Sequence, residues 1–143
     1  MLIKKSKVLN RKNGSEMFIK GDILLPSNRL SKGDWLNGLY HPAILWDDLF
    51  EGNRDFLGIM LTHSLPNGRF ENILMATNHI EAGHEIGFSN TCFVNQVFVK
   101  FQKWRPFEMV GRLTSEGIHF IENHLDTNSF PMKFTHYRQL VIR

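Results

Sequence analysis

The apolar positions of this chain come in short runs, many with a period of two, separated by turn residues. Met17–Leu25 (MFIKGDILL) reads as a first strand ended by Pro26, and Gly21-Asp22 inside it predicts a bulge or a close backbone approach. Ser27–Leu39 is a loop with two glycines and two asparagines. Tyr40–Asp47 predicts a second strand. Its run Ala43-Ile44-Leu45-Trp46 is apolar on both faces, as a central strand requires, and Pro42 belongs near its start, where a missing N–H costs least. Asp48–Asp55 reads as a polar turn, and Phe56–His63 as a third, almost continuously apolar strand. Leu65-Pro66-Asn67-Gly68 is turn chemistry. Glu71–Thr77, Thr91–Val94, Val97–Lys103 and Phe107–Leu113 read as further strands, with a loop over Asn78–Gly87 and an interruption at Trp104-Arg105-Pro106.

The period changes at Thr114–Leu125. Ile118, Ile121 and Leu125 fall on one helical face, widened by Phe120, with Thr114 or Ser115 as N-cap and Glu116 near the positive end of the dipole. Gly117 inside it lowers helix propensity by about 1 kcal/mol relative to Ala. Met132–Ile142 reads as a terminal strand or a partner-binding tail. Many short strands and one helix near the C-terminus predict a mainly β fold, a small closed barrel or a strongly bent sheet.

Composition narrows this reading only a little. A chain of 143 residues suits one domain with a core large enough to need no staples. The single cysteine, Cys92, forbids an internal disulfide and fits a reducing, cytoplasmic setting; in its predicted strand it reads as a small buried hydrophobe. No apolar run is long enough to span a bilayer, and no apolar signal core follows the first lysines, so no membrane is expected. A net charge of +3 hints at a polyanionic partner. The cations Lys4, Lys5, Lys7, Arg11 and Lys12 make residues 1–16 a basic extension, either a solvated terminus or an arm for nucleic-acid phosphates.

The candidate chemistry lies in Gly38–Ser64. His41 opens one predicted strand and Thr62 closes the next, so an antiparallel pairing sets them opposite each other. A histidine titrates near neutrality and serves as general acid or base; a threonine hydroxyl hydrogen-bonds a phosphate oxygen as charge builds there. Together they suit phosphodiester cleavage by the 2′-hydroxyl of RNA, and they equally suit a structural His beside a strand Thr. His63 points to the opposite strand face unless the strand has ended or bulges. In the loop, Arg29 and Lys32 suit the RNA backbone and Trp35 suits base stacking or a lid on the core; Arg69 is a further backbone contact. His79, Glu81, His84 and Glu85 have no helix to align them, because Gly83 intervenes, and read as a solvated loop rather than a metal site.

Four stretches together resemble the PemK/MazF family of bacterial toxin ribonucleases. Gly21-Asp22-Ile23 is similar to the family's opening G-D-[IV] strand, and Gly38-Leu39-Tyr40-His41-Pro42-Ala43-Ile44-Leu45 to its G-x-R-P-[AV] strand. Gly58-Ile59-Met60-Leu61-Thr62 is similar to the apolar strand ending in the family's Thr, and Gly111-Arg112-Leu113-Thr114 to the turn before its C-terminal helix. The resemblance spans roughly residues 17–125, with 1–16 and 126–143 as extension and tail. It implies an SH3-like barrel with a short C-terminal helix, usually a homodimer, acting without metal or other cofactor as an endoribonuclease on single-stranded RNA, with an antitoxin as protein partner. His41 stands where the family has its catalytic Arg, and Thr62 matches the family's Thr. An Arg is charged at every working pH and a His is not. The substitution therefore admits a second expectation, a catalytically inactive RNA- or protein-binding module.

Overall fold

The computed structural model describes residues 17–27, 41–46, 49–51, 55–62, 72–82, 91–100, 106–125 and 130–141. Among them run nine strands: β1 (Met17–Ile19), β2 (Asp22–Pro26), β3 (Ala43–Leu45), β4 (Leu49–Glu51), β5 (Phe56–Thr62), β6 (Asn72–Leu74), β7 (Cys92–Val94), β8 (Phe98–Lys100) and β9 (Phe107–Arg112). A 3-10 turn covers Thr77–His79, and two helices follow the strands, α1 (Ser115–His124) and α2 (Phe134–Val141). The fold is mainly antiparallel β with helix at its C-terminal end. No helix among the described residues is long and apolar enough to cross a membrane.

Seven strands form one bent sheet. Its order is β6-β7-β5-β3-β2-β9, and β8 pairs with the N-terminal half of β5, below the point where β7 takes over. The two ends of this path meet. Past β6 and the 3-10 turn, Ile80 bridges Leu113 at the end of β9, with Glu81 N–H donating to the Arg112 carbonyl at 2.8 Å and Thr114 N–H to the His79 carbonyl at 3.0 Å. That bridge joins the two ends of the sheet, which so closes on itself as a small barrel.

Alternation along β5 sorts the core. Ile59 and Leu61 point inward with Ile23, Ile44, Phe93, Val110 and Leu113, and Ile121 of α1 plugs the same core. Phe56 and Met60 point the other way, into two smaller clusters. Phe56 packs with Phe18, Leu24, Leu45 and Phe107; Met60 packs with Val94, Phe98 and Tyr137 of α2.

Several expectations change in detail. Gly21 is not a bulge within one strand but the close backbone approach, where an added Cβ would lie 3.1 Å from Ile118 Cδ1. It has φ of 99° and turns the chain between β1, which pairs with β4, and β2, which pairs with β3 and β9. The bulge lies further on, between Ile23 and Leu24, where β9 inserts Val110. The polar stretch read as a turn contains strand β4. The C-terminal stretch read as a strand or tail is helix α2, held by the Met132 backbone bonded to Val97 and Val99 and by the Gln96 side chain donating to the Phe130 carbonyl at 2.8 Å.

Gly117 is more than a weak helix residue. A Cβ there would lie 2.2 Å from the His79 carbonyl oxygen, so the close seat of α1 on the 3-10 turn requires glycine. Thr114 caps α1, its hydroxyl accepting from Gly117 N–H at 3.0 Å and donating to the Asn78 carbonyl at 2.7 Å.

Candidate active site

The β3–β5 register is Ala43↔Met60, Ile44↔Ile59 and Leu45↔Gly58. It continues one step outward through Leu61 N–H donating to the Pro42 carbonyl at 2.9 Å. Pro42 lacks an N–H and returns no bond, so it closes the ladder without leaving an orphan donor. One residue further, His41 comes opposite Thr62 in the closer, non-hydrogen-bonded kind of pair. On its other side Thr62 pairs with Cys92 of β7. Thr62 is buried and His41 half-buried.

The alternation of β5 puts Thr62 on the face of Met60, Gly58 and Phe56, away from the main core. Their cross-strand partners are Cys92, Ala43, Leu45, Phe98 and Lys100. This face carries the candidate chemistry, and α2 lies over it. The Phe134 ring of α2 sits 6.4 Å from the His41 imidazole, and Tyr137 meets Phe98 edge-on at 5.1 Å.

Electrostatics set the state of these groups. Burial lowers the His41 pKa, the charge of Lys100 lowers it further, and a hydrogen bond with the Leu61 backbone opposes both; the net shift is downward from 6.5. The imidazole is therefore neutral at pH 7 and able to accept a proton. Lys100 is 2% exposed, and burial alone lowers its pKa to about 8, so it keeps its charge at pH 7. Burial raises the Cys92 thiol and leaves it protonated.

Sequence reasoning missed Lys100. The alternation in Val97–Lys103 sets Val97, Val99 and Phe101 against Phe98, Lys100 and Gln102. A lysine in such a strand ordinarily marks the solvent side. Here Phe98 and Lys100 are the buried pair and Val99 is only half-buried. The available signal was the flanking of Lys100 by apolar residues on both sides.

Arg29, Lys32, Trp35, His63 and Arg69 lie outside the described residues, as do His84 and Glu85. His79 stands apart from the candidate face. Its Nδ1 accepts from Ala76 N–H at 2.9 Å and its ring stacks on Phe120 at 4.3 Å. Burial lowers its pKa, with smaller opposed contributions from Glu116 and His124, so it is a neutral ring that builds the 3-10 turn. Asp22, fully buried, accepts from Arg112 Nε at 2.9 Å and from Ile19 N–H at 3.0 Å, which ties the β1–β2 turn to β9. No family model, no curated protein and no solved structure matches this chain.

Proposed function

We propose that the protein is a PemK/MazF-like endoribonuclease that cuts single-stranded RNA without a metal ion, with His41 as general base and Thr62 as hydrogen-bond donor to the phosphate. The observation that carries this reading is the β3–β5 register, extended through Pro42 and Leu61, which brings His41 and Thr62 opposite each other at one end of the ladder. A neutral imidazole there takes the proton of the 2′-hydroxyl. The 2′-oxygen attacks the adjacent phosphorus and the bond to the 5′-oxygen breaks. The departing oxygen takes a proton from water, and the hydroxide so formed takes up the proton held by His41, leaving a 2′,3′-cyclic phosphate and a 5′-hydroxyl. The Thr62 hydroxyl donates to a non-bridging oxygen as charge accumulates on it. The same reading carries a homodimer, an antitoxin partner and a cytoplasmic setting, and it assigns Arg29, Lys32, Trp35, His63 and Arg69 to the RNA strand.

One observation favours a non-catalytic binding module as second reading. α2 covers the candidate face, with Phe134 against the His41 ring. Cleavage of a mixed-sequence RNA by the full chain, and its loss in His41→Ala and Thr62→Ala variants that keep the wild-type circular dichroism, supports the nuclease. Binding without cleavage supports the module, and unchanged cleavage in both variants refutes the residue assignment.

A further inference from the structure

Lys100 is the most unusual group on the candidate face. A lysine 2% exposed ordinarily has a carboxylate beside it, because an ammonium taken out of water is costly. Among the described residues Lys100 forms no ion pair, and burial is the sole influence on its titration. Its stem has a made-to-measure bed. It pairs with Phe56 across β8 and β5 and leans over Gly58, where an added Cβ would lie 3.3 Å from the Lys100 Cγ and 3.3 Å from the Ala43 Cβ. The glycine thus leaves the stem room to run across β5 toward β3. Ala43 is two residues from His41 on the same strand face, and the Lys100 charge is felt at the His41 ring. Phe56 stands directly across from Lys100, and Phe98 lies two residues before it on the same strand face.

We infer that Lys100 and His41 form a binding site for a phosphate group, in which the Lys100 ammonium is the fixed cation and His41 the neutral partner, and that the phosphate is one of a nucleic-acid strand. A cation buried without a counter-ion is completed by an anion, and the half-buried His41 is the more exposed of the two groups. The neutral imidazole cannot clamp a phosphate by charge, and the lysine supplies the charge it lacks. The identity of the anion as a phosphodiester rests on the nuclease reading; the anion site itself rests on the burial and placement of Lys100.

The test uses the full chain and follows the His41 ring resonances by NMR. Inorganic phosphate and, separately, a short single-stranded 2′-deoxy oligonucleotide, which cannot be cut by a 2′-hydroxyl, are titrated into the wild type and Lys100→Met. Both probes are expected to shift the His41 signals in the wild type, and Lys100→Met is expected to weaken each response about tenfold or more. Lys100→Arg, which keeps the charge, is expected to restore part of it. Responses equal in wild type and Lys100→Met overturn the proposal, and a response to phosphate but not to the oligonucleotide overturns the assignment to a strand. Should Lys100→Met fail to fold, the Lys100 side-chain resonances of the wild type decide: a shift on adding phosphate supports the site and no shift overturns it. RNA cleavage is scored in parallel. A Lys100-dependent phosphate response without cleavage supports the anion site while the nuclease reading fails; cleavage that Lys100→Met leaves intact overturns the lysine's role and spares that reading.

Discussion

Replacing Lys100 by methionine should stabilise the protein at neutral pH. The two side chains have similar lengths, and methionine adapts to apolar surroundings such as those that Phe56 and Gly58 give this stem. The magnitude follows from linkage. Burial lowers the lysine from 10.5 to about 8 in the folded state. The unfolded chain therefore binds the proton more tightly, and each pH unit between these values is worth about 1.4 kcal/mol against the fold. Below pH 8 the full penalty applies, about 3 kcal/mol on this scale. As pH rises from 8 to 10.5 the penalty fades, because the lysine becomes neutral in both states. Urea unfolding of wild type and Lys100→Met at pH 7 and at pH 10 measures the difference directly. The variant should be more stable by about 3 kcal/mol at pH 7, and the gap should narrow to about 1 kcal/mol at pH 10. A variant no more stable than wild type at pH 7, or a gap that ignores pH, would refute the claim that an unpaired charge is buried there. Stability gained with phosphate binding lost is the pattern of a residue kept for function.

Other positions give independent checks. Gly117→Ala should destabilise by about 3 kcal/mol, because its Cβ would collide with the His79 carbonyl and push α1 off the 3-10 turn; thermal unfolding reads this, and a change below about 1 kcal/mol would contradict the close seat. Asp22→Ala should cost about 3–5 kcal/mol in denaturant unfolding, since it strips the Arg112 guanidinium of its buried carboxylate and the Ile19 amide of its acceptor. The cleavage rate should rise with pH through an ionisation below 6.5 and stay level to about pH 8 as His41 is neutral throughout that range; a controlling ionisation above 6.5 would place the base elsewhere.

Much of the fold was readable because it depends on local pattern. The apolar run Phe56–Thr62 makes β5 the hub of the sheet, and counting back along two antiparallel strands is enough to set His41 against Thr62. The N-cap at Thr114 and the face of Ile118 and Ile121 mark α1. What escaped depends on contacts between distant segments. Gly21 fits a strand or a turn equally by sequence, and only β4, arriving to pair with β1, decides for the turn. The α2 segment carries Phe134 and Tyr137 at helical spacing, but Thr135, His136 and Tyr137 are mediocre helix formers and Thr and Tyr favour strands; packing on Phe98 makes it a helix. The burial of Lys100 was hidden for the same reason, since it depends on the neighbouring strand β5, where Phe56 and Gly58 meet its side.

The proposal that His41 and Thr62 form a catalytic pair is best tested by incubating the full chain with a mixed-sequence single-stranded RNA in EDTA, beside His41→Ala. Fragments ending in 2′,3′-cyclic phosphate that form despite the chelator, and vanish in the variant, are the predicted result. Intact RNA in the wild-type reaction, or the same fragments from His41→Ala, would contradict it.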